Sequence, residues 1–296
     1  PVNEPVLRFK STDTGAPQIN YNARTAGDVK AVLKACLVTG YGTTASAGWS
    51  IVNEVDHVAE FVSPSAAMSD YRFGVDDSST SQTDWYYLYQ NIKTNPNNNR
   101  VTKSISVIDK THADNGWQLI TTDRGLLFIE LWQHSAVNKI TARITYIGQL
   151  KSALLANDGI NMCFFNIGHK STLAYPSYFY TEPALVHKNV QNLINLKLAA
   201  ATSPSAEKID YAFGVSGADL VSEIYLHTTQ GDTLVAKMPP VLSKIVNKAA
   251  DTYQVKQFDL NSRPVLSVCA GHADFNVSKA ESYSRTILIP LDYWEY

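Results

Sequence analysis

The chain has 296 residues, 45% of them apolar and 18% charged, with a formal net charge of −2 and a pI near 6.4. That length exceeds a usual single domain, and the charged fraction falls below the roughly 25% of an average soluble domain. No basic block supplies the row of Lys and Arg that neutralises phosphates, so direct nucleic-acid binding is not expected.

The opening Pro1-Val2-Asn3-Glu4-Pro5 has no basic stretch leading into an apolar one, so no signal peptide is expected. A start at Pro1 fits trimming of an initiator Met. No apolar run approaches the roughly 18 residues of a membrane span, so no membrane partner is expected. Cys36, Cys163 and Cys269 are an odd number at distant positions without a Cys-x-x-Cys. They read as free thiols of a protein made in a reducing cytoplasm, each a small core residue.

One early segment has helical periodicity. Val29, Val32, Leu33, Cys36 and Leu37 follow i, i+3, i+4, i+7, i+8 and fall on one face. Thr25 followed by Asp28 resembles a capping box with Asp for Glu, and Gly40 and Gly42 end the helix. A second helix is expected over Pro240–Asp251, where Val241, Ile245, Val246 and Ala249 repeat at helical spacing behind Pro239 and Pro240. The stretch 186–201 reads equally as strand or short helix.

Most of the remainder reads as strands of five to eight residues between Gly, Pro, Asn, Asp and Ser clusters. The strongest hairpin pairs Trp117–Thr121 with Leu126–Leu131 through Thr122-Asp123-Arg124-Gly125. Asp70–Val75 is echoed by Asp210–Val215, which could mark two similar β units. Thr202-Ser-Pro-Ser205 could be a linker. The expected organisation is mainly β with a few helices, in antiparallel, sandwich-like sheets. A helix-plus-sheet unit would occupy residues 1–200 and a β-rich unit residues 201–296, with a soft boundary.

No dinucleotide fingerprint, Walker loop, zincin helix, nucleophile elbow or EF-hand loop is present. The weaker constellations each have a bland reading beside the chemical one. Asp76 and Asp77 before Ser78 offer hard oxygens for Ca²⁺, but adjacent Asp residues after a strand more often make a solvated turn. His112-Ala-Asp114 and His272-Ala-Asp274 could each pair imidazole with carboxylate on one strand face, yet no nucleophile or metal set accompanies them. Glu54, Asp56 and Glu60 around His57 could serve glycoside hydrolysis only if two carboxylates converge. As a strand-turn-strand they are the polar face of a hairpin. Catalytic residues and cofactors are therefore not expected.

The aromatic run Trp85-Tyr86-Tyr87-Leu88-Tyr89 puts Trp85, Tyr87 and Tyr89 on one strand face and Tyr86 and Leu88 on the other. One face is core. The other would be an aromatic patch for a protein partner or a host glycan, unless both faces are buried. Tyr293, Trp294 and Tyr296 form a second aromatic cluster, expected to dock on the chain itself or on a neighbour.

Several of these segments resemble, in order, a family of tailed-phage and prophage virion structural proteins. The resemblance is carried by Pro5-Val-Leu-Arg-Phe-Lys-Ser-Thr-Asp-Thr-Gly-Ala-Pro17, by Ala35-Cys-Leu-Val-Thr-Gly-Tyr-Gly42 and by Ala47-Gly-Trp49. It continues through Tyr71–Asp77, Gly116–Phe128 and Tyr146–Ser152, where Gln149 stands in place of an acidic residue. It is closest over residues 5–49 and extends to about residue 168. What the resemblance implies is a structural component of a tailed-phage virion, in the tail or baseplate region, assembled in the host cytoplasm. Its partners would be further copies and other virion proteins. A capsid decoration or collar protein and a carbohydrate- or receptor-binding module are the alternatives.

Overall fold

The structure, a computed structural model, describes residues 2–19, 25–78, 86–92, 103–105, 113–134, 139–152, 161–167, 184–187, 194–199, 220–228, 234–245, 255–269 and 285–296. It is mainly β, with antiparallel sheets and, among the described residues, one α-helix, as the sequence leads one to expect.

In chain order the first elements are β1 (Asn3–Pro5), β2 (Leu7–Lys10), α1 (Asp28–Lys34), β3 (Ser50–Val55), β4 (Val58–Val62), β5 (Tyr71–Asp76), β6 (Tyr86–Ile92) and β7 (Lys103–Ile105). There follow β8 (Ala113–Thr122), β9 (Gly125–His134), β10 (Lys139–Gln149), β11 (Lys151–Ser152), β12 (Asn161–Ile167), β13 (Ala184–His187) and β14 (Ile194–Ala199). The last are β15 (Leu220–Thr228), β16 (Leu234–Ile245), β17 (Lys256–Leu260), β18 (Arg263–Cys269), β19 (Arg285–Pro290) and β20 (Tyr293–Glu295).

Strands β3 to β7 form a five-stranded antiparallel meander. A thirteen-stranded sheet runs in the order β17-β18-β19-β16-β15-β14-β13-β12-β10-β9-β8-β2, with β11 on β16. The first and last strands, β1 and β20, pair with each other.

Strands β8 to β10 lie between two cores. Leu126, Leu127, Phe128 and Ile129 are all fully buried, because alternate side chains enter opposite layers. Leu126 and Phe128 join Trp117, Leu119 and Ile147 in a first core with α1 and with Phe61 and Phe73 of β4 and β5. Leu127 and Ile129 join Ile120, Ile144 and Tyr146 in a second core with Leu266, Val268, Ile287 and Ile289 of β18 and β19. The expected boundary near residue 200 lies outside the described residues, and this second core takes side chains from both sides of it.

The expected hairpin is present: β8 and β9 are joined by Asp123-Arg124, with Thr122 opposite Gly125. The expected helix buries Val29, Val32, Leu33, Cys36 and Leu37 as its spacing requires. Its ends differ from expectation. The α-helix stops at Lys34 and continues as one π-helical turn, Ala35–Thr39, whose Ala35 carbonyl accepts from Gly40 N at 2.8 Å. The Cys36 and Leu37 carbonyls are met instead by the Ala47 and Trp49 amides at 2.9 Å each.

The second expected helix is absent over its described part, which belongs to strand β16. The ladder between β15 and β16 skips from Glu223↔Leu242 to Tyr225↔Lys237, and Pro239 and Pro240 fall in that gap. Proline has no N–H to give a ladder, so it is tolerated at an irregularity. Pairing to β15 on one side and β19 on the other overrides the helical spacing. The ambiguous stretch 186–201 contains the end of β13 and all of β14. The echo at 210–215 lies outside the described residues.

Candidate functional site

Segments 5–17, 35–42 and 47–49, where the resemblance is closest, meet beside the first core. Asp13 Oδ2 accepts from the Lys10 amide at 2.9 Å and from the Tyr41 hydroxyl at 2.9 Å. Burial pushes the Asp13 carboxyl up, but the bonds from Lys10 and Tyr41 and the Lys10 charge outweigh it and leave it below its ordinary value. Burial, together with the bond to Asp13, raises Tyr41 well above the ordinary phenol range. The Phe9 ring tilts against Tyr41 with centroids 6.1 Å apart.

Two glycines close this knot. Gly15 (φ +80°) and Gly42 (φ +53°) approach so closely that a Cβ on Gly15 would stand 3.1 Å from Gly42 Cα. On the far side, Trp117 Nε1 donates to the Pro17 carbonyl at 3.0 Å, and the Trp117 amide donates to Ser11 Oγ at 3.2 Å. Cys36 is completely buried beneath, and burial pushes its thiol far up, so it is a neutral core residue.

The paired aspartates separate. Asp77 is fully buried, and its Oδ2 accepts from the Val29 amide at 2.7 Å, capping the N-terminus of α1. Its backbone also engages, accepting from Gly27 N and donating to the His57 carbonyl at 3.0 Å each. Thr25 supplies no side-chain cap. Gly27, left-handed at φ 92°, is the N-cap, and Asp28 Oδ2 accepts from the Thr25 amide at 3.0 Å. Asp76 accepts from the Ser78 amide at 3.2 Å and its hydroxyl at 2.6 Å, which is the turn reading. The two carboxylates thus face different partners, the Val29 amide for Asp77 and Ser78 for Asp76. Among the described residues no three His, Cys, Asp or Glu side chains gather as metal ligands.

The residues around His57 lie beside basic side chains. Glu54 binds Lys30 and Lys34 at 2.9 Å each, and these bonds, Lys34 first, hold its carboxyl below its ordinary value. Glu60 lies 3.6 Å from Arg72 on β5. The Asp56 carbonyl accepts from Lys30 Nζ at 2.6 Å. His112, His272 and Asp274 lie outside the described residues, and of Asp114 only the backbone pairing with Trp132 is described.

Of the expected interface residues, Trp85 lies outside the described residues. Tyr87 and Tyr89 are placed by backbone register, opposite Asp76 and Gly74, and Leu88 between them is fully buried. The C-terminal aromatics dock on the chain itself. Trp294 is fully buried, donating from Nε1 to the Pro290 carbonyl at 3.1 Å, and Tyr296 is only 8% exposed. The Tyr296 hydroxyl lies 2.9 Å from Thr122 Oγ1, with the Arg124 guanidinium 5.8 Å from its ring centre. Tyr293 is partly exposed, with the Arg263 guanidinium 4.0 Å over its ring.

Sequence reasoning missed the exposed apolar positions. Among the described residues the exposed large apolar side chains are Val2, Leu7, Val52 and Val55. Val52 and Val55 sit on β3, one of the two edge strands of the meander, at 46% and 59% exposure. A crevice lined by Trp49, Phe61, Ser63, Met68, Tyr71, Phe73, Ile147 and Gly148 has room for little more than a water molecule.

No helix among the described residues is long and apolar enough to cross a membrane. Compared with known proteins, the chain matches no family model, no curated protein and no solved structure.

Proposed function

We propose that this protein is a multicopy structural component of a tailed-phage virion, in the tail or baseplate region, acting through contacts between subunits rather than through chemistry. One observation carries the reading. The segments that resemble virion structural proteins, 5–17, 35–42 and 47–49, are brought into mutual contact, and their polar groups serve the backbone and one another. Asp13 holds Lys10 and Tyr41, Gly15 meets Gly42, and the Cys36 and Leu37 carbonyls hold Ala47 and Trp49. Residues arranged in this way fix a scaffold, which is what a repeated building block requires. The exposed apolar pair Val52 and Val55 on an edge strand is of the kind that neighbouring subunits cover.

Immunogold labelling of intact particles with an antibody against this chain tests the reading. Label at a fixed position on the particle is the expected result. Unlabelled particles, with the protein free in the lysate, would refute it and bring the glycan-binding reading forward.

A further inference from the structure

We infer that Leu291–Tyr296 is a strap that locks the second core, so that the two cores open separately. Its strand β20 is paired with β1 alone among the described strands: Asn3 stands opposite Glu295, Glu4 opposite Trp294 and Pro5 opposite Tyr293. Reciprocal bonds between Val2 and Tyr296, at 3.0 and 2.9 Å, finish the ribbon. A two-stranded ribbon is marginal by itself, so side chains hold this one in place.

Those side chains reach several elements. Trp294 and Tyr296 enter the second core, and no residue of the strap enters the first. The Trp294 ring packs on Tyr146 of β10, with centroids 6.4 Å apart. Tyr296 joins Thr122 at the end of β8, Glu295 pairs with Lys151 of β11, and Glu4 on the partner strand pairs with Arg124 at 2.6 Å. At the hinge Asp292 takes two bonds from Arg263, at 2.9 and 2.8 Å.

The two cores differ in how they close. The first is bounded by α1 and the meander, whose contributing residues lie between Phe9 and Leu88, against one face of β8 to β10. The second joins residues 120–150 to residues 266–296 across a long sequence separation, and the strap touches both sides of that junction. The contacts of Trp294 with Tyr146 and of Tyr296 with Thr122 hold those two groups together. Its release therefore opens the second core and leaves the Asp13–Tyr41 knot intact.

Amide hydrogen exchange of the full chain under increasing denaturant tests this. The amides of β18, β19 and β20 should open together, below the denaturant concentration that opens Val32–Leu37 and Phe61–Phe73. Trp294→Ala should speed exchange in β18 and β19 by about tenfold or more while leaving the helix amides unchanged. Tyr296→Phe, which keeps the packing and removes one hydrogen bond, should act in the same direction more weakly. If Trp294→Ala does not fold, the unmodified chain and Tyr296→Phe decide. Simultaneous opening of both sets, or equal acceleration in both, would overturn the inference.

Discussion

Arg8 and Gln257, 249 positions apart, are joined by a 2.9 Å hydrogen bond between strands at the two ends of one sheet. Arg8 Nε also donates to Gln118 on the neighbouring strand at 3.0 Å. Phe9 points into the first core, so alternation turns Arg8 and Gln118 toward the second, whose edge the guanidinium covers. Replacing Arg8 with Ala should cost about 1–2 kcal/mol, since bonds to a charged group are lost and packing is lost with them. Gln257→Ala should cost less, because its bond is exposed. Urea midpoints for the two variants and their double mutant check this, and a coupling indistinguishable from zero would refute the bridge.

Asp77 and Asp76 should behave very differently despite adjacency. Asp77→Ala removes a buried cap from α1 and should cost about 2 kcal/mol. Asp76→Ala disturbs only an exposed turn with Ser78 and should stay within roughly 1 kcal/mol. Thermal melts compare the variants. Added Ca²⁺ should leave the unmodified protein's melting point unchanged, whereas a calcium-dependent rise would mean that a site exists.

Gly148 should tolerate no side chain. A Cβ there would lie 2.5 Å from Gly125 Cα and 2.8 Å from the Arg124 carbonyl, at the position where β10 pairs with Gly125 of β9. Gly148→Ala forces backbone to move and should cost about 1–3 kcal/mol. Gly48, with open space around it and φ +78°, carries only conformational strain, so Gly48→Ala should cost about 1 kcal/mol. Equal denaturation midpoints for the two would contradict the close approach.

Stability should hold across neutral pH and fall at both ends. Burial raises Tyr296 and Tyr41 above the ordinary phenol value of about 10. A raised folded-state value means that their contribution is complete below about pH 10 and is lost as pH rises through the folded values. Asp292, bound by Arg263, and Glu54, bound by Lys34 and Lys30, are lowered instead. Their contribution is complete above about pH 4–5 and disappears as pH falls through the lowered values. Urea midpoints against pH give the profile, and Tyr296→Phe should flatten part of its alkaline limb. An alkaline limb unchanged in that variant would exclude Tyr296 as a cause.

The local features were legible because they depend on neighbours in sequence. The apolar spacing of Val29 to Leu37 specifies a buried helical face, and Trp117–Thr121 and Leu126–Leu131 on either side of turn residues specify a hairpin. The Asp123-Arg124 turn, the core role of Cys36 and the turn at Asp76 follow from chemistry within a few residues. Tertiary structure decided the rest. Whether Pro239 and Pro240 start a helix or sit in a bulge depends on β15 and β19, strands that local periodicity does not see. The helix cap comes from Asp77, 48 residues beyond Val29, in place of the neighbouring Thr25. Whether Trp294 and Tyr296 meet a neighbour or their own chain was open in the sequence, because an aromatic residue states only that it will be buried. The pairing of β20 with β1 and the second core's closure across 120–150 and 266–296 supply the place, and those contacts exist only after the chain has folded.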